Sequence, residues 1–501
     1  MGTDISRRDF LGGVLTGGLA AWMGGCSTVN FASSGKGGAG DRPNLVLVMT
    51  DDLCWNMMGF HDRYPFLQTP NFDRLKREGA YCRNAFSPNA LCMPARASVM
   101  TGMHAYKHGV KTNMGDKGEG DQLGPDTPTF PQLLQQAGYE TALVGKRHID
   151  KHESSPKPGF DQWVSFQGQG EFFDPELNIN GEMVQESGHI SDVLTRYATE
   201  WISRDRDKPF CLILAHKLPH GDTTYGPYTP PERHQGELDD VTIAPPPNYH
   251  DDLSDKPEWV RRYVKTEQLT PDRQAMARDM DLVPKDEVPE RVPPEPWDSH
   301  PGPLVGMLSC VSTLDECLGT LLETLRTEGV LDDTFLMYTS DHGHAFYNHQ
   351  IVNKRVMYEE GIRVPMLIRY PRIIQPGTEL DEMALTLDIA PTMLELAGAE
   401  VPGEIQGRSL VPVLQGDKSN WREAFVGEYY WMPFHPHFPT VRMARSKRWK
   451  YLRSEVDDGP DEEELYDLED DPHELTNLAV YPGWEEQLKR MRRVLQELGE
   501  G

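Results

Sequence analysis

Leu45-Val46-Leu47-Val48-Met49 runs straight into Thr50-Asp51-Asp52. An unbroken apolar run, without the polar alternation of a half-exposed strand, predicts a strand covered on both faces, as in a parallel sheet between helices. Three further stretches repeat this design. Thr141-Ala142-Leu143-Val144 leads into Gly145-Lys146-Arg147-His148. Phe210-Cys211-Leu212-Ile213-Leu214-Ala215 leads into His216 and then Pro219-His220. Phe335-Leu336-Met337-Tyr338 leads into Thr339-Ser340-Asp341-His342-Gly343. Helix signals lie between them. Pro131 to Ala137 is closed by Gly138, and Leu314, Leu318, Leu321, Leu322 and Leu325 recur at helical spacing. Alternating helix and strand predicts an α/β fold with a large mixed, mostly parallel sheet sandwiched by helices. Ligands of such sheets bind beyond the carboxyl ends of the strands, so the four polar clusters are expected along one edge.

Moving outward, residues 221–303 break the pattern. They are rich in Pro, Asp, Glu and Arg, including Pro245-Pro246-Pro247 and Pro293-Pro294-Glu295-Pro296. They read as a long surface excursion with short helices, which either covers the site or is a solvated loop. Beyond about residue 400, Val441 to Leu452 is strand-like, basic and aromatic. Leu465-Tyr466-Asp467-Leu468 predicts another short strand, and Trp484 to Leu498 a closing helix. The expected organisation is an export signal and linker over 1–42, a catalytic domain over 43–400, and a smaller α+β C-terminal subdomain over 401–501. No internal repeat is visible.

The chain has 501 residues and a formal charge of −28, with 50 basic against 78 acidic residues. That balance argues against a nucleic-acid partner, because phosphate attraction needs a basic face. An anionic substrate would need a local cluster of Lys, Arg or metal. Ser6-Arg7-Arg8-Asp9-Phe10-Leu11 resembles a twin-arginine export signal. The apolar stretch that follows, Phe10 to Met23, is shorter than the ~20 residues of a membrane-spanning helix, so no transmembrane anchor is expected. Cys26, after Gly24-Gly25, is a candidate lipid-anchor site, and residues 27–42 read as a flexible tether. The expected location is periplasmic or lipid-anchored at the cell envelope. The seven cysteines form no CxxC pair and no dense framework. Cys211 and Cys310 are expected as core packing.

The chemistry concentrates at Cys92-Met93-Pro94-Ala95-Arg96, followed by Ala97-Ser98-Val99-Met100-Thr101-Gly102. Pro94 suits a first helical turn. Residue 92 then sits at a helix N-terminus, where free N–H groups and the dipole favour an anion. Arg96 follows one turn later on the same face. The alternative for Cys92 is an ordinary packed cysteine. Asp51-Asp52 is either a pair of solvated turn residues or, with Asp341, part of a metal site, since adjacent buried carboxylates repel unless a cation neutralises them. Oxygen-rich ligands point to a hard ion, Ca²⁺ or Mg²⁺.

These motifs resemble those of type I sulfatases of the alkaline phosphatase superfamily, over roughly residues 43–480. Cys92-x-Pro94-x-Arg96 matches the nucleophile motif. Other matching stretches are Thr69-Pro70-Asn71-Phe72-Asp73-Arg74-Leu75, Lys354-Arg355-Val356-Met357-Tyr358-Glu359-Glu360, Arg363-Val364-Pro365 and Asp471-Pro472-His473-Glu474-Leu475. The resemblance implies an alkaline-phosphatase-like fold and a formylglycine made from Cys92 by formylglycine-generating machinery. It implies metal ligation by Asp51, Asp52, Asp341, His342 and the modified Cys92. Lys146 and Lys354 would bind sulfate oxygens, with Arg96 holding the modified side chain or a sulfate oxygen. His148 would assist the formylglycine diol, and His220 would protonate the leaving alcohol. Many members carry Asn where this chain has His342, and iduronate 2-sulfatase-like members share the His. The substrate implied is a sulfate ester, expected on a sulfated carbohydrate. Two alternatives stand beside it: a phosphonate or phosphodiester hydrolase using the same nucleophile, and a non-catalytic sulfoglycan-binding lipoprotein. His216 reads as a turn or core residue before it reads as functional. Trp431, His435 and His437 either line a sugar pocket or simply pack.

Overall fold

The computed structural model describes residues 42–113, 121–149, 154–221, 228–267, 302–433, 435–456 and 459–499. The twin-arginine segment, Cys26 and nearly all of the tether lie outside the described residues, as do residues 222–227 and 268–301 of the excursion.

Asn44–Thr50 lies inside a ten-stranded sheet, parallel to Phe210–Ala215 on one side and to Thr334–Ser340 on the other. Glu140–Gly145 and then Gln162–Ser165 extend the parallel part. The flanks turn antiparallel, with Met366–Arg369 against Thr334–Ser340 and Glu176–Ile179 against both Gln162–Ser165 and Glu182–Gln185. The sheet is therefore mixed and mostly parallel among its central strands, as expected.

Alternate residues of the first strand enter two different cores. Val46 and Val48 pack with Leu194, Trp201, Leu308 and Leu314 from helices Ile190–Ile202 and Gly302–Thr327. Leu45, Leu47 and Met49 pack with Met93, Val99, Leu134 and Met393 from helices Cys92–Thr101, Phe130–Gln136 and Ile389–Leu396. A strand with two dry faces has no polar alternation to show, hence the continuous run in the sequence. Each fully buried aliphatic side chain contributes about 1.5–3 kcal/mol.

The helix expected over 314–325 spans Gly302–Thr327, 26 residues. It is long and apolar enough to cross a bilayer, but 72% of its most apolar window is buried in the protein, which makes it a core helix. Asp315 on this helix accepts hydrogen bonds from the backbone N–H groups of Asn71 (3.0 Å) and Phe72 (2.8 Å), capping helix Pro70–Glu78.

The C-terminal stretch 441–452 resolves into two antiparallel strands, Val441–Ser446 and Trp449–Ser454, flanked by Ala424–Tyr429 and Glu462–Asp467. One face of this four-stranded sheet is covered by Met491 and Leu495 of helix Glu485–Gly499. The other face shares a core with Phe86, Tyr358 and Ile362. From the excursion, helix Glu258–Glu267 packs Trp259 and Tyr263 on Phe438. The Tyr263 hydroxyl accepts from Asn353 Nδ2 at 3.1 Å, beside Lys354.

Candidate active site

Parallel register fixes where the polar clusters meet. The backbone ladder continues past the strand ends, with Asp341 N–H donating to Thr50 O at 3.1 Å and Asp51 N–H to Leu218 O at 3.1 Å. Lys146 N–H donates to Ala215 O at 2.8 Å, which sets the third cluster alongside. Gly145 makes this approach feasible. Its φ is +113°, and a Cβ there would lie 1.9 Å from Ala215 O. Asp52 adopts φ 68°; its N–H donates to Asp341 Oδ1 at 3.3 Å while its carboxylate meets Lys354 at 3.0 Å and His342 at 3.4 Å.

Helix Cys92–Thr101 starts at Cys92, and all ten of its residues are buried. Gly102 closes it in the left-handed region, donating to Ser98 O at 2.8 Å. At the other end Asn113 Oδ1 accepts from Met93 N–H at 3.1 Å. Cys92 Sγ, at the position the resemblance assigns to the formylglycine oxygens, is 3.1 Å from Lys354 Nζ and 3.2 Å from His342 Nε2. The thiol also reaches Asp51 Oδ1 at 3.7 Å and interacts with the His148 side chain.

The cations are shared among the carboxylates. Arg96 donates to Asp341 Oδ2 (2.8 Å), Asp51 Oδ2 (3.0 Å) and the Lys146 carbonyl (2.6 Å). It thus clamps the acids that flank Cys92, with a side chain wholly out of water. Lys146 Nζ pairs with Asp51 and donates to Gln169 Oε1 at 2.5 Å. Lys354 Nζ lies 3.0 Å from Asp52 Oδ1. His220 Nε2 is 3.8 Å from Asp52 Oδ2. All the predicted site residues therefore gather at one edge of the sheet.

Electrostatics follow from this packing. Burial opposes ionisation of the Cys92 thiol, but Lys354, Lys146 and His342 outweigh it and hold the thiol well below its ordinary range. Burial likewise opposes the Asp51 carboxylate, and Lys146 with Arg96 pulls it below the usual carboxylate range. Asp341 moves the other way, to about 6, through burial and the neighbouring Asp51 charge. For His220, burial and then Lys354 keep the imidazole below its ordinary value.

Ligand atoms of Asp51, Asp52, Cys92 and His342 lie within 4.8 Å of one another. Asp341 stands at the rim of this group, its Oδ1 3.8 Å from His342 Nε2. Two buried carboxylates and an imidazole converging on one point fit a divalent cation, and oxygen in place of the Cys92 sulfur would make the set harder.

Residues 43–399 match the family model described as Sulfatase, and residues 347–501 match that of N-sulphoglucosamine sulphohydrolase, C-terminal. The chain belongs to the sulfatase family. This sulfatase is a sulfuric ester hydrolase with the alkaline-phosphatase-like fold. It is 34% identical to an N-acetylglucosamine-6-O-sulfatase of Bacteroides thetaiotaomicron, over 91% of this chain and 86% of the relative. A solved structure captured with its substrate, D-glucosamine-2-N,6-O-disulfate, superposes with a TM-score of 0.77 at 31% identity, covering 91% of this chain and 97% of the other. A phosphonate monoester hydrolase from Silicibacter pomeroyi shares the fold with a TM-score of 0.69 at 20% identity, over 91% and 95% of the two chains.

Two site-supporting residues escape the sequence reading. Gln169 is one, held between Gly168 and Gly170, both at positive φ. That Gly-x-Gly turn is the available signal. Asn113 is the other, and nothing local marks it. His216 takes no part in the site. It is 1% exposed, and the titratable groups that act on it are His189 and Asp192. Trp431 is half-exposed, whereas His435 feels the charges of Arg355 and Lys354 and so faces the site's border.

Proposed function

We propose that this sulfatase removes a sulfate ester from a sulfated carbohydrate, with a formylglycine formed from Cys92 as nucleophile and a divalent cation, Ca²⁺ before Mg²⁺, held by Asp51, Asp52, Asp341 and His342. The observation that carries it is the contact set of Cys92 Sγ: Lys354 Nζ at 3.1 Å and His342 Nε2 at 3.2 Å, at a helix N-terminus. When bound, the cation lowers the pKa of an attacking oxygen and neutralises sulfate charge. Lys146 and Lys354 place two ammonium groups where sulfate oxygens would sit, and preorganised charge of this kind is usually the largest catalytic contribution. Arg96, spent on Asp51 and Asp341, orients the carboxylates. His148 lies close enough to Cys92 to take a proton from it. His220, beside Asp52, is placed to give one to the leaving alcohol.

The relatives named above act on N-acetylglucosamine 6-O-sulfate or were captured with a disulfated glucosamine. They favour a 6-O-sulfated glucosamine unit over the iduronate-type sugar that His342 suggests. The shared fold of a phosphonate hydrolase decides nothing about the ester cleaved. Export by the twin-arginine route to the periplasm, or to a lipid anchor at Cys26, and maturation by formylglycine-generating machinery complete the reading, on the sequence of the first 26 residues and on Cys92.

Purified enzyme would be assayed on N-acetylglucosamine 6-sulfate, glucosamine-2-N,6-O-disulfate, an aryl sulfate and a phosphonate monoester. The sugar sulfates should be turned over with the highest kcat/KM, and chelation should abolish turnover until Ca²⁺ is restored. Preference for the phosphonate, or an intact mass showing an unmodified Cys92 in active enzyme, would overturn the proposal.

A further inference from the structure

A second group of ligating side chains lies outside the active site. His349, Glu360 and Glu474 bring one imidazole nitrogen and two carboxylate oxygens within 4.8 Å of one another. All three are nine-tenths or more buried. His349 is held by Asp251, whose Oδ2 lies 2.8 Å from Nδ1. Because the Nδ1 proton goes to that carboxylate, Nε2 keeps its lone pair, and among the described residues Nε2 has no hydrogen-bond partner. A carboxylate behind a histidine is the arrangement that orients metal-binding imidazoles. Glu360 Oε2 is likewise without a partner.

The surrounding charges leave Glu360 uncompensated. Arg445 is committed to Glu359 at 3.1 Å, and Lys450 to Glu474 at 2.7 Å and Glu359 at 3.4 Å. Lys256 turns to the backbone carbonyl of Glu474 at 2.6 Å and to Asp251 at 3.5 Å. Among the described residues no cation pairs with Glu360. A buried carboxylate without a cation either holds a proton or takes a metal ion, and the second carboxylate and the imidazole lone pair beside Glu360 supply the other two ligands.

We infer that His349, Glu360 and Glu474 bind a second divalent cation of the zinc class. One histidine and two carboxylates give three of the four ligands that Zn²⁺ takes; Ca²⁺ would ask for 6–8 oxygens. The ion would join two parts of the molecule. His349 and Glu360 flank the Lys354 segment, and Glu474 follows strand Glu462–Asp467 of the C-terminal sheet. Its role is to position that segment, and it stands whether or not the sulfate chemistry proposed above is correct.

The test uses the full chain, stripped with chelator, reloaded with Zn²⁺ and passed through gel filtration in metal-free buffer. Zinc would be counted in the wild type, in Asp51→Asn/Asp52→Asn and in His349→Gln/Glu360→Gln. The active-site variant should keep about one equivalent, and the His349/Glu360 variant should lose one relative to wild type. Crystals of the wild-type chain soaked in Zn²⁺ give a reading that no folding defect can confuse. An anomalous peak about 2.0–2.1 Å from His349 Nε2 would confirm the site. Zinc at Asp51 and Asp52 with none beside His349 would overturn it.

Discussion

Two buried ionic clusters flank the segment between Asp341 and Arg363, one balanced in charge and the other not. Around Cys92, the carboxylates of Asp51, Asp52 and Asp341 meet the cations Arg96, Lys146 and Lys354. The acids and bases there match in number, so any added divalent cation leaves a positive surplus, which suits an anionic ester. Around His349 and Glu474, among the described residues Glu360 lacks a cation and Glu464 is hydrogen-bonded by the hydroxyls of Tyr358 (2.7 Å) and Tyr466 (2.5 Å). That cluster has a negative surplus and no anion to receive. The difference separates two uses of buried charge: one cluster is neutral until loaded for catalysis, and the other fastens two sheets together.

The sharpest way to break this comparison is Cys92→Ala. The proposed role of the first cluster predicts a fall in kcat/KM of roughly 10⁶-fold, the scale seen when a covalent nucleophile is removed, with the circular dichroism spectrum unchanged. Lys450→Met probes the other cluster. It strands Glu474 in a dry site and should cost about 3–5 kcal/mol in urea unfolding, while the molecules that stay folded keep their kcat. Loss of turnover without loss of stability there would erase the distinction. Lys354→Met strikes the Cys92 side, where the expected loss is about 10²–10³-fold in kcat for removal of one charge-stabilising group.

A smaller effect comes from His108, behind the Cys92 helix and outside both clusters. Its Nε2 lies 3.1 Å from Ser98 Oγ, and its Nδ1 accepts from Val110 N–H at 3.1 Å. Burial lowers its pKa from 6.5 to about 3. Below pH 6.5 the unfolded chain takes up a proton that the folded imidazole refuses. Stability is therefore fully present above that pH and is lost as pH falls toward the folded value, by at most about 1.4 kcal/mol per pH unit. In His108→Gln, the drop in denaturation midpoint between pH 7 and pH 5 should shrink. An unaltered drop would place the sensitivity in the two charged clusters instead.

The catalytic edge was unusually legible. Each apolar run, such as Phe210–Ala215, is followed within a few residues by the side chains it delivers, so strand and ligand are read together. Arg96 was visible as a motif residue, but its partners were not. They lie 45 and 245 positions away, and only strand register brings them close. The second cluster was hidden for a stronger reason. Glu359, Glu360 and Glu474 stand in stretches that match the family without showing what they face, and burial of a charge is decided by packing that local sequence does not encode. Within 441–452 the strand-like stretches are legible but the turn between them is not, because Ser446 to Trp449 reverses the chain without Gly or Pro.

Cys92 has no exposed surface, in a helix sealed along its whole length. A maturing enzyme large enough to be a protein cannot grip a sulfur held that deep. Its opportunity is the interval in which the nascent chain is still open, and that interval is long, because His342 lies 250 positions downstream and cannot close over the thiol before it is synthesised. If Cys92 matures to the proposed formylglycine, this geometry calls for oxidation before folding, and the proposed twin-arginine export would then carry a chain whose aldehyde is already in place.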